Sequence, residues 1–376
     1  MTTNQGHLDR HQLYTLHDDF WNMRLKKALI GNSHRKSAKL QHISRRFEDA
    51  ENLELQPEYF TPEEFQDPPE RLEEGGDPLV DGQVFNVIRP YNGIPWLPSI
   101  AGCTQMVSWY AQTVWLKKPA PDSWYDSGTF VFKPRRDWFE KLLEFTDYLV
   151  ARYSDVAVIT MDNASRGVCD LFMGLVGIEE ACTALYDKSD TVKEFLMQIA
   201  HLHVEWAKRQ IERIPAINGG YCNQWGLFCK GSFTRFQEDY AGLISQEVLE
   251  EFLLPCEELI VRSFDYQVLH THSAIPHLAE WALGLEQLKC IEVTIDPHGP
   301  PMRDCVRLWN KILEEKCLIV SATVTQEEFD YMQSDLNPAG LLLDVSIVDE
   351  DIVDEDIVDE DIVDENIVDE DIQGGQ

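Results

Sequence analysis

The sequence predicts an α/β fold in which a parallel sheet closes into a (β/α)8 barrel. Three observations support this class. The last third of the chain alternates β-branched apolar segments with amphipathic ones, which is the pattern of strands joined by helices. The strand segments are apolar at nearly every residue, as expected for a parallel sheet buried on both faces. No GxGxxG or GxxxxGK phosphate loop occurs in the 376 residues, so the usual evidence for a nucleotide-binding open sheet is lacking.

The alternation in the last third has a regular period. We predict strands at 265–272, 288–296, 317–324 and 340–346, and helices between them at 274–285, 301–316 and 325–336. Three successive βα units, together with strands upstream, fit a closed barrel better than an open sheet.

The first two thirds contain weaker signals. We predict helices at 18–31 and 137–153, and nearly continuous helix at 167–214. We predict strands at 83–90 and 155–162, and a strand with a loop at 219–229. The other segments are a loop or extended arm at 51–80 and a Pro/Gly-punctuated segment at 93–103, which leads into an aromatic helix-like run. A further helix at 245–264 has Ser245 as its candidate N-cap, and Pro255 should kink or divide it.

These elements suggest three regions. Residues 1–82 form a helical and extended segment that packs on the barrel, 83–346 form the barrel, and 347–376 form an acidic tail. The tail holds five copies of IVDED, with Asn366 replacing one Asp. Its five-residue period matches neither helix nor strand, and its like charges repel one another, so we predict disorder.

Charge and composition exclude several classes of protein. The repeat contributes 14 acids and no base to the net charge of −34, and the other 52 acids against 32 bases still leave −20. Binding to nucleic acid is therefore not expected, because phosphate recognition needs basic surface. No apolar run is long enough to span a membrane, the polar start lacks the apolar core of a signal peptide, and the nine cysteines form no CxxC pair. We expect a cytoplasmic protein without disulfides, and the sequence leaves the oligomeric state open.

In a barrel, chemistry takes place at the carboxyl ends of the strands. This rule selects residues in and after the predicted strands: Asp162, Arg166, Gln224, Trp225, His270, His272, Glu292 and Asp296. Of these, we predict that Gln224, Trp225 and Asp296 contact the substrate. Asp239 precedes a helix and can reach the same end of the sheet.

The pair His270 and His272 is the strongest candidate for a ligand set. Residues two apart on a strand project to the same side, so both imidazoles can bind one divalent ion such as zinc. Glu292, on the next predicted strand, would complete the set. The alternative is that one histidine packs in the core and the other bonds to a carbonyl.

Other candidates also have two interpretations. Arg166 could hold a substrate carboxylate or could pair with Asp162 or Asp170. Asp239 could act as a general base or cap a helix. Trp96, in a tryptophan-rich segment, could line a substrate pocket or belong to the core.

From about residue 85 to 345 the chain resembles the uroporphyrinogen decarboxylase superfamily of (β/α)8 barrels. The resemblance rests on GIPWLPSIAGC (93–103), on 165–199, on EDYAGLISQEVLEEFLLPCEELI (238–260), and on HTHS (270–273). The superfamily includes the decarboxylase, the cobamide-dependent methyltransferases and, more distantly, cobalamin-independent methionine synthase.

The chain departs from the superfamily's patterns in informative ways. The methyltransferase branch carries H-x-C at this strand end and a zinc-binding cysteine downstream, whereas here His272 stands at the cysteine position and residues 320–324 read VSATV. Glu292 matches, approximately, a carboxylate used as a zinc ligand in the methionine synthase relatives. The arginine-bearing loop of true decarboxylases, similar to RQAGRY, is absent from the sequence.

The resemblance implies a methyl-transferring enzyme that acts on a small molecule. Its metal would be held by His270, His272 and Glu292, and a corrinoid, a corrinoid protein or a methylated small molecule would be the donor. One alternative is metal-free decarboxylation of a polycarboxylate, with Asp162 or Asp239 and Arg166 in the active site. Another is a barrel that binds a ligand or corrinoid protein without catalysis.

Overall fold

A computed structural model describes residues 8–31, 46–47, 50–69, 76–108, 113–119, 132–161, 166–187, 190–296 and 299–348. Within them the protein is a mixed α/β structure built around a parallel β-sheet. The predicted tail, from residue 349 onward, and Asp162 lie outside the described residues.

The described strands are β1 (Leu29–Ile30), β2 (Glu51–Glu54), β3 (Val80–Asp81), β4 (Val84–Phe85), β5 (Val87–Ile88), β6 (Thr104–Ser108), β7 (Thr113–Lys117), β8 (Val158–Ile159), β9 (Tyr221–Cys222), β10 (Phe228–Cys229), β11 (Phe233–Gln237), β12 (Tyr266–His272), β13 (Cys290–Thr294), β14 (Cys317–Val324) and β15 (Leu341–Ile347). The described helices are α1 (Arg10–Trp21), α2 (Pro62–Phe65), α3 (Trp96–Ala101), α4 (Arg136–Tyr153), α5 (Val168–Val176), α6 (Ile178–Asp187), α7 (Asp190–Ile211), α8 (Gln246–Val248), α9 (Leu254–Arg262), α10 (Pro276–Ala282), α11 (Met302–Ile312) and α12 (Gln326–Asp335).

The central sheet has six strands in the order β1-β15-β14-β13-β12-β11, and every neighbouring pair is parallel. Every residue of β13 is buried, as are the first four of β14. Such strands need apolar cover on both faces, which explains their nearly continuous apolar sequence. The predicted parallel sheet is confirmed.

Helices α10, α11 and α12 connect β12, β13, β14 and β15 in turn, so the predicted alternation of the last third is confirmed. The start of α12 shows how local sequence sets these elements. Thr325 accepts the backbone N–H of Glu328, and the Glu328 carboxylate accepts the N–H of Thr325, which is a complete capping box.

A second parallel pairing lies upstream, where β5 pairs with β8. Arg166 forms a parallel bridge with Gln237, so backbone that follows β8 reaches the free edge of β11. The described strands thus include a six-stranded parallel sheet and a neighbouring parallel pair. Closure into an eight-stranded barrel, and the domain boundaries at 82 and 346, stay predictions.

The amino-terminal segment differs from the helix predicted at 18–31. Helix α1 ends at Trp21, and Leu29–Ile30 adds strand β1 to the central sheet beside β15. The apolar spacing in this segment reflects burial of side chains on both elements. Phe20 and Leu29 pack with Val268 and Leu342 in an apolar cluster on the sheet, which we call the inner cluster.

The segment 93–117 also differs from prediction. Helix α3 is short, and the described residues of the run after it form β6 and β7 instead of a helix. Together with β2, these strands make a three-stranded antiparallel sheet. The arm predicted at 51–80 therefore contributes a strand. Aromatic and β-branched side chains suit a half-buried strand, so the strand preference of these residues was a better guide here than the helical spacing of the apolar ones.

Helices α5, α6 and α7 occupy 168–211, as predicted, and the Glu238 carboxylate caps the first of them. It accepts the backbone N–H groups of Val168, Cys169 and Asp170 at 2.5, 2.9 and 3.3 Å. A Cβ on Gly167 would lie 2.0 Å from Glu238 Oε1, so this position needs glycine. This cap ties the helical layer to the end of β11.

Pro255 divides its helix, as its missing N–H predicts. A π-helical segment at Leu249–Leu253 joins α8 to α9, and Pro255 lies in the first turn of α9. Ser245 holds the N-cap position of α8, where its side chain forms no capping hydrogen bond.

None of the helices in the described ranges is both long enough and apolar enough to cross a membrane.

Buried His17 should make the stability of the fold depend on pH. Its Nε2 lies 2.9 Å from the Gln83 carbonyl, its Nδ1 accepts the Phe228 N–H at 2.8 Å, and burial lowers its pKa to about 4. In the unfolded chain the same histidine has a pKa of about 6.5. Above that pH His17 is neutral in both states, so the fold keeps its full stability there. We expect the free energy of unfolding to fall as the pH drops from 6.5 towards 4, by about 1.4 kcal/mol per pH unit for this one group.

Urea unfolding at pH 7, 6 and 5 measures this slope. The slope reports how many more protons the unfolded chain binds than the folded protein. His17→Gln should lower this number by close to one, although the variant is less stable at every pH. His11→Gln, on the exposed side of the same helix, is the control and should keep the wild-type slope. Equal slopes for wild type and His17→Gln would contradict the prediction.

Candidate metal centre

Polar side chains from three neighbouring strands meet at the carboxyl end of the central sheet. His270 and His272 end β12, Glu292 lies in β13, Asp296 follows β13, and Asp239 follows β11 in a short 3-10 helix. Parallel strands bring their carboxyl ends to one edge, which is where α/β proteins place their sites.

The register of the sheet sets which of these residues are neighbours. His270 pairs with Gln237 on one side and with Glu292 on the other, and His272 pairs with Thr294. The two histidines are two residues apart and therefore project to the same side of the sheet. Their rings lie at 85°, with centroids 4.8 Å apart.

His270 is fixed by Glu292, whose Oε2 forms a short hydrogen bond with Nδ1 of the imidazole. Thr294 Oγ1 donates to the other oxygen of Glu292 at 3.1 Å. Burial raises the pKa of Glu292, but the adjacent His270 and the charge of Arg235 lower it overall. Glu292 is thus an ionised buried acceptor, which holds the proton of His270 on Nδ1 and leaves Nε2 facing the site.

His272 is fixed in the same way by Asp296, whose Oδ1 lies 2.7 Å from Nδ1. The other oxygen of Asp296 accepts the Ser273 hydroxyl and the Ala274 N–H, both at 2.9 Å. Burial lowers the pKa of His272, but the hydrogen bond to Asp296 and the charge of Asp239 raise it to about 9. His272 therefore carries a second proton at neutral pH, and a bound metal ion would have to displace the proton on Nε2.

The two Nε2 atoms converge on one oxygen of Asp239. They lie 3.2 Å from each other, and Asp239 Oδ1 lies 3.9 Å from that of His270 and 3.6 Å from that of His272. This oxygen is buried and accepts no hydrogen bond from any residue that the structure describes. Three donors at ~2.0–2.2 Å from a tetrahedral zinc ion would be about 3.3–3.6 Å apart, so the triangle has the size of a metal site.

The arrangement of the histidines supports the same interpretation. Metal-binding histidines almost always donate their second N–H to a carboxylate or carbonyl, which fixes the tautomer and the ring. Here both histidines have a carboxylate partner. Asp239, His270 and His272 each offer one ligand atom, and these atoms lie within 4.8 Å of one another. The residues present therefore fit a divalent ion.

The predicted ligand set differs from this arrangement in one member. Glu292 lies on the Nδ1 side of His270, away from the two Nε2 atoms, and Asp239 takes the third position. Asp296, predicted to bind substrate, has both oxygens engaged by His272, Ser273 and Ala274. The physical reason is the register, which pairs Glu292 directly beside His270.

Arg166 is buried next to the end of β11, where its backbone forms a bridge with Gln237. Its Nη1 is 3.5 Å from Asp170 Oδ2, so one of the two predicted ion pairs is present. Burial and the charge of Asp239 raise the pKa of Asp170 well above its usual value, and Arg166 opposes this shift. The other predicted partner, Asp162, lies outside the described residues.

The two tryptophans predicted to contact substrate, Trp96 and Trp225, pack against buried apolar residues instead. Trp96 is fully buried in the core, and its indole N–H donates to the Tyr91 carbonyl at 2.8 Å, so its placement in a substrate pocket was wrong. Trp225 packs against the inner cluster. Gln224 lies half-buried beside it, in the turn between β9 and β10.

Two residues of the site were missed by reasoning from the sequence. Gln237 Nε2 donates to Asp239 Oδ2 at 2.6 Å, and Arg235 Nη1 donates to Gln237 Oε1. Both precede Asp239 at alternate positions of β11. Two polar residues two positions apart in a strand, just before a candidate acid, project to the same side and could have indicated this contact.

Comparison with known proteins gives a likeness of fold. No family model and no curated protein matches the chain. Among solved structures, it is similar to a methyltransferase from Methanosarcina mazei, with a TM-score of 0.57, 13% identity, and coverage of 89% of this chain and 92% of that chain. At this identity the likeness concerns the fold, and membership of the superfamily stays a prediction.

Asp296→Asn should weaken metal binding without disturbing the three donors. The amide that replaces the carboxylate cannot accept at both of its ends, so it loses either the His272 contact or those to Ser273 and Ala274. Loss of such a partner lowers metal affinity roughly 10- to 100-fold. Competition with a chromogenic chelator measures the change.

Asp304→Asn, at an exposed position of α11, is the matched control and should bind metal like wild type. A zinc affinity of Asp296→Asn equal to that of the control would show that Asp296 does not support the site.

Proposed function

We propose that this protein is an enzyme that transfers a methyl group to or from a small molecule with the help of a divalent metal ion. Asp239, His270 and His272 would hold the ion. The observation that carries the proposal is the buried Asp239 oxygen, which accepts no hydrogen bond within the described ranges and faces two carboxylate-anchored imidazoles. The structural neighbour is itself named a methyltransferase, which supports the choice of reaction.

The donor set defines what the residues can do. When bound, the ion would act as a Lewis acid that lowers the pKa of a nucleophile and orients it. As metal ligands, two neutral imidazoles and one carboxylate carry one negative charge, so a divalent ion would leave one positive charge for an anionic ligand. The set contains nitrogen and oxygen only, and these donors suit harder ligands than the thiolate sets of the H-x-C proteins.

The surrounding residues keep the donors in place. Glu292 and Asp296 hold protons on the Nδ1 atoms, so both Nε2 atoms are directed into the site, where metal binding would release the second proton of His272. A methylated corrinoid, a corrinoid protein or a methylated small molecule is proposed as the donor on the family resemblance alone. A closed barrel around the site is part of the same proposal.

The proposal predicts about one metal ion per chain in protein purified without an affinity tag. The double variant His270→Ala, His272→Ala should lose that metal, because only Asp239 of the three donors remains. His277→Ala, at an exposed position of α10, is the control and should retain it. Elemental analysis by mass spectrometry measures the metal, and circular dichroism checks that each variant is folded.

Methyl transfer is tested separately on the metal-loaded protein. Methylcobalamin is supplied as donor with a panel of alcohols, amines and thiols, and its absorption spectrum reports loss of the methyl group. We expect transfer by wild type and by His277→Ala, and none by the double variant. Bound metal without transfer from any donor tested would leave a metal-binding protein and refute the methyl-transfer reaction.

A further inference from the structure

The two oxygens of Asp239 have different environments. Oδ1 faces the imidazole nitrogens and accepts no hydrogen bond from the described part of the chain, whereas Oδ2 accepts the amide N–H of Gln237 at 2.6 Å. A carboxylate with two free oxygens can bind a metal ion through both, but one that is already bonded at Oδ2 presents Oδ1 alone. Gln237 thereby selects the oxygen that faces the site.

The orientation of the Gln237 amide is set by its other neighbour. Arg235 Nη1 lies in short hydrogen-bonding contact with Gln237 Oε1. A guanidinium has donors only, so the atom facing Arg235 must be the amide oxygen, and the NH2 group must face Asp239. The amide therefore cannot turn over without losing both bonds.

Arg235 also links the two halves of the site. It is buried, and its positive charge lowers the pKa of Glu292, the carboxylate that anchors His270. The register places Gln237 directly beside His270, and Arg235 lies two residues earlier on the same side of β11. One guanidinium thus acts on Asp239 through Gln237 and on His270 through Glu292.

We propose that Gln237, held by Arg235, is a positioning residue that limits Asp239 to one metal-binding oxygen and so keeps a coordination position open for substrate. Metal sites with three protein donors and an open position are the catalytic kind, whereas structural sites are filled by protein. The inference rests on the proposed metal site and is independent of methyl transfer.

Cobalt(II) and azide make the coordination visible. Cobalt(II) replaces zinc in such sites and absorbs in the visible range with an intensity that falls as the coordination number rises. Azide serves as a small anionic probe of the open position. Wild-type protein loaded with cobalt should change its spectrum on titration with azide.

Gln237→Leu removes the amide and frees Oδ2. We expect weaker visible absorption, because Asp239 then binds through both oxygens, and azide binding that is roughly 10- to 100-fold weaker. Gln237→Met is the second variant, in case the first does not fold. Its thioether fills the space of the amide but cannot donate to Asp239, so the same changes are expected.

Gln267→Leu is the matched control. Gln267 is a buried glutamine of the neighbouring strand β12, whose amide donates to the carbonyls of Val261, at 2.7 Å, and Phe264. The control should lose stability but keep the wild-type cobalt spectrum and azide affinity. A folded Gln237 variant with an unchanged spectrum and azide affinity would overturn the positioning role alone. Wild type that binds no cobalt would overturn both the metal site and this inference.

Discussion

The hydrogen bonds that two carboxylates form with the inner nitrogens of His270 and His272 determine the properties of the carboxyl end of the sheet. Without a partner at Nδ1, each imidazole could rotate or change its tautomer, and the two Nε2 atoms would not be held 3.2 Å apart. Burying Glu292 costs free energy that only such charged and polar contacts can offset, so the acid and its histidine must be present together. The two carboxylates thus fix the rings of His270 and His272 so that both Nε2 atoms face the same site.

Strand register is the reason these partners meet. His270 pairs with Glu292 across β12 and β13, and Gln237 pairs with His270 across β11 and β12. A shift of one residue in either strand would turn its polar side chains to the opposite face and leave them buried without partners. The apolar residues that fill the other face of these strands therefore also hold the site in place, since they specify the same register.

Sequence reasoning predicted the part of the fold that depends on local pattern. The last third alternates strand and helix so regularly that its elements could be located within a few residues. The strands β2, β6 and β7 were missed because they form a small antiparallel sheet, where contacts distant in sequence outweigh local spacing. The site shows the same division. His270 and His272 could be found from their two-residue spacing, but the choice between Glu292 and Asp239 as third donor depends on which ring nitrogen each acid faces, and this is a property of the packed sheet.

An imidazole ligand at position 272 needs a supporting hydrogen bond, and residues nearby provide it. A thiolate ligand needs no hydrogen bond to select its donor atom, whereas an imidazole must have its proton held on the other nitrogen. Asp296 supplies that partner, and Ser273 and Ala274 in turn hold Asp296. A histidine that only packed in the sheet would need no carboxylate held in place by further hydrogen bonds. The complete set of contacts behind His272 is therefore the strongest structural argument for the proposed metal site.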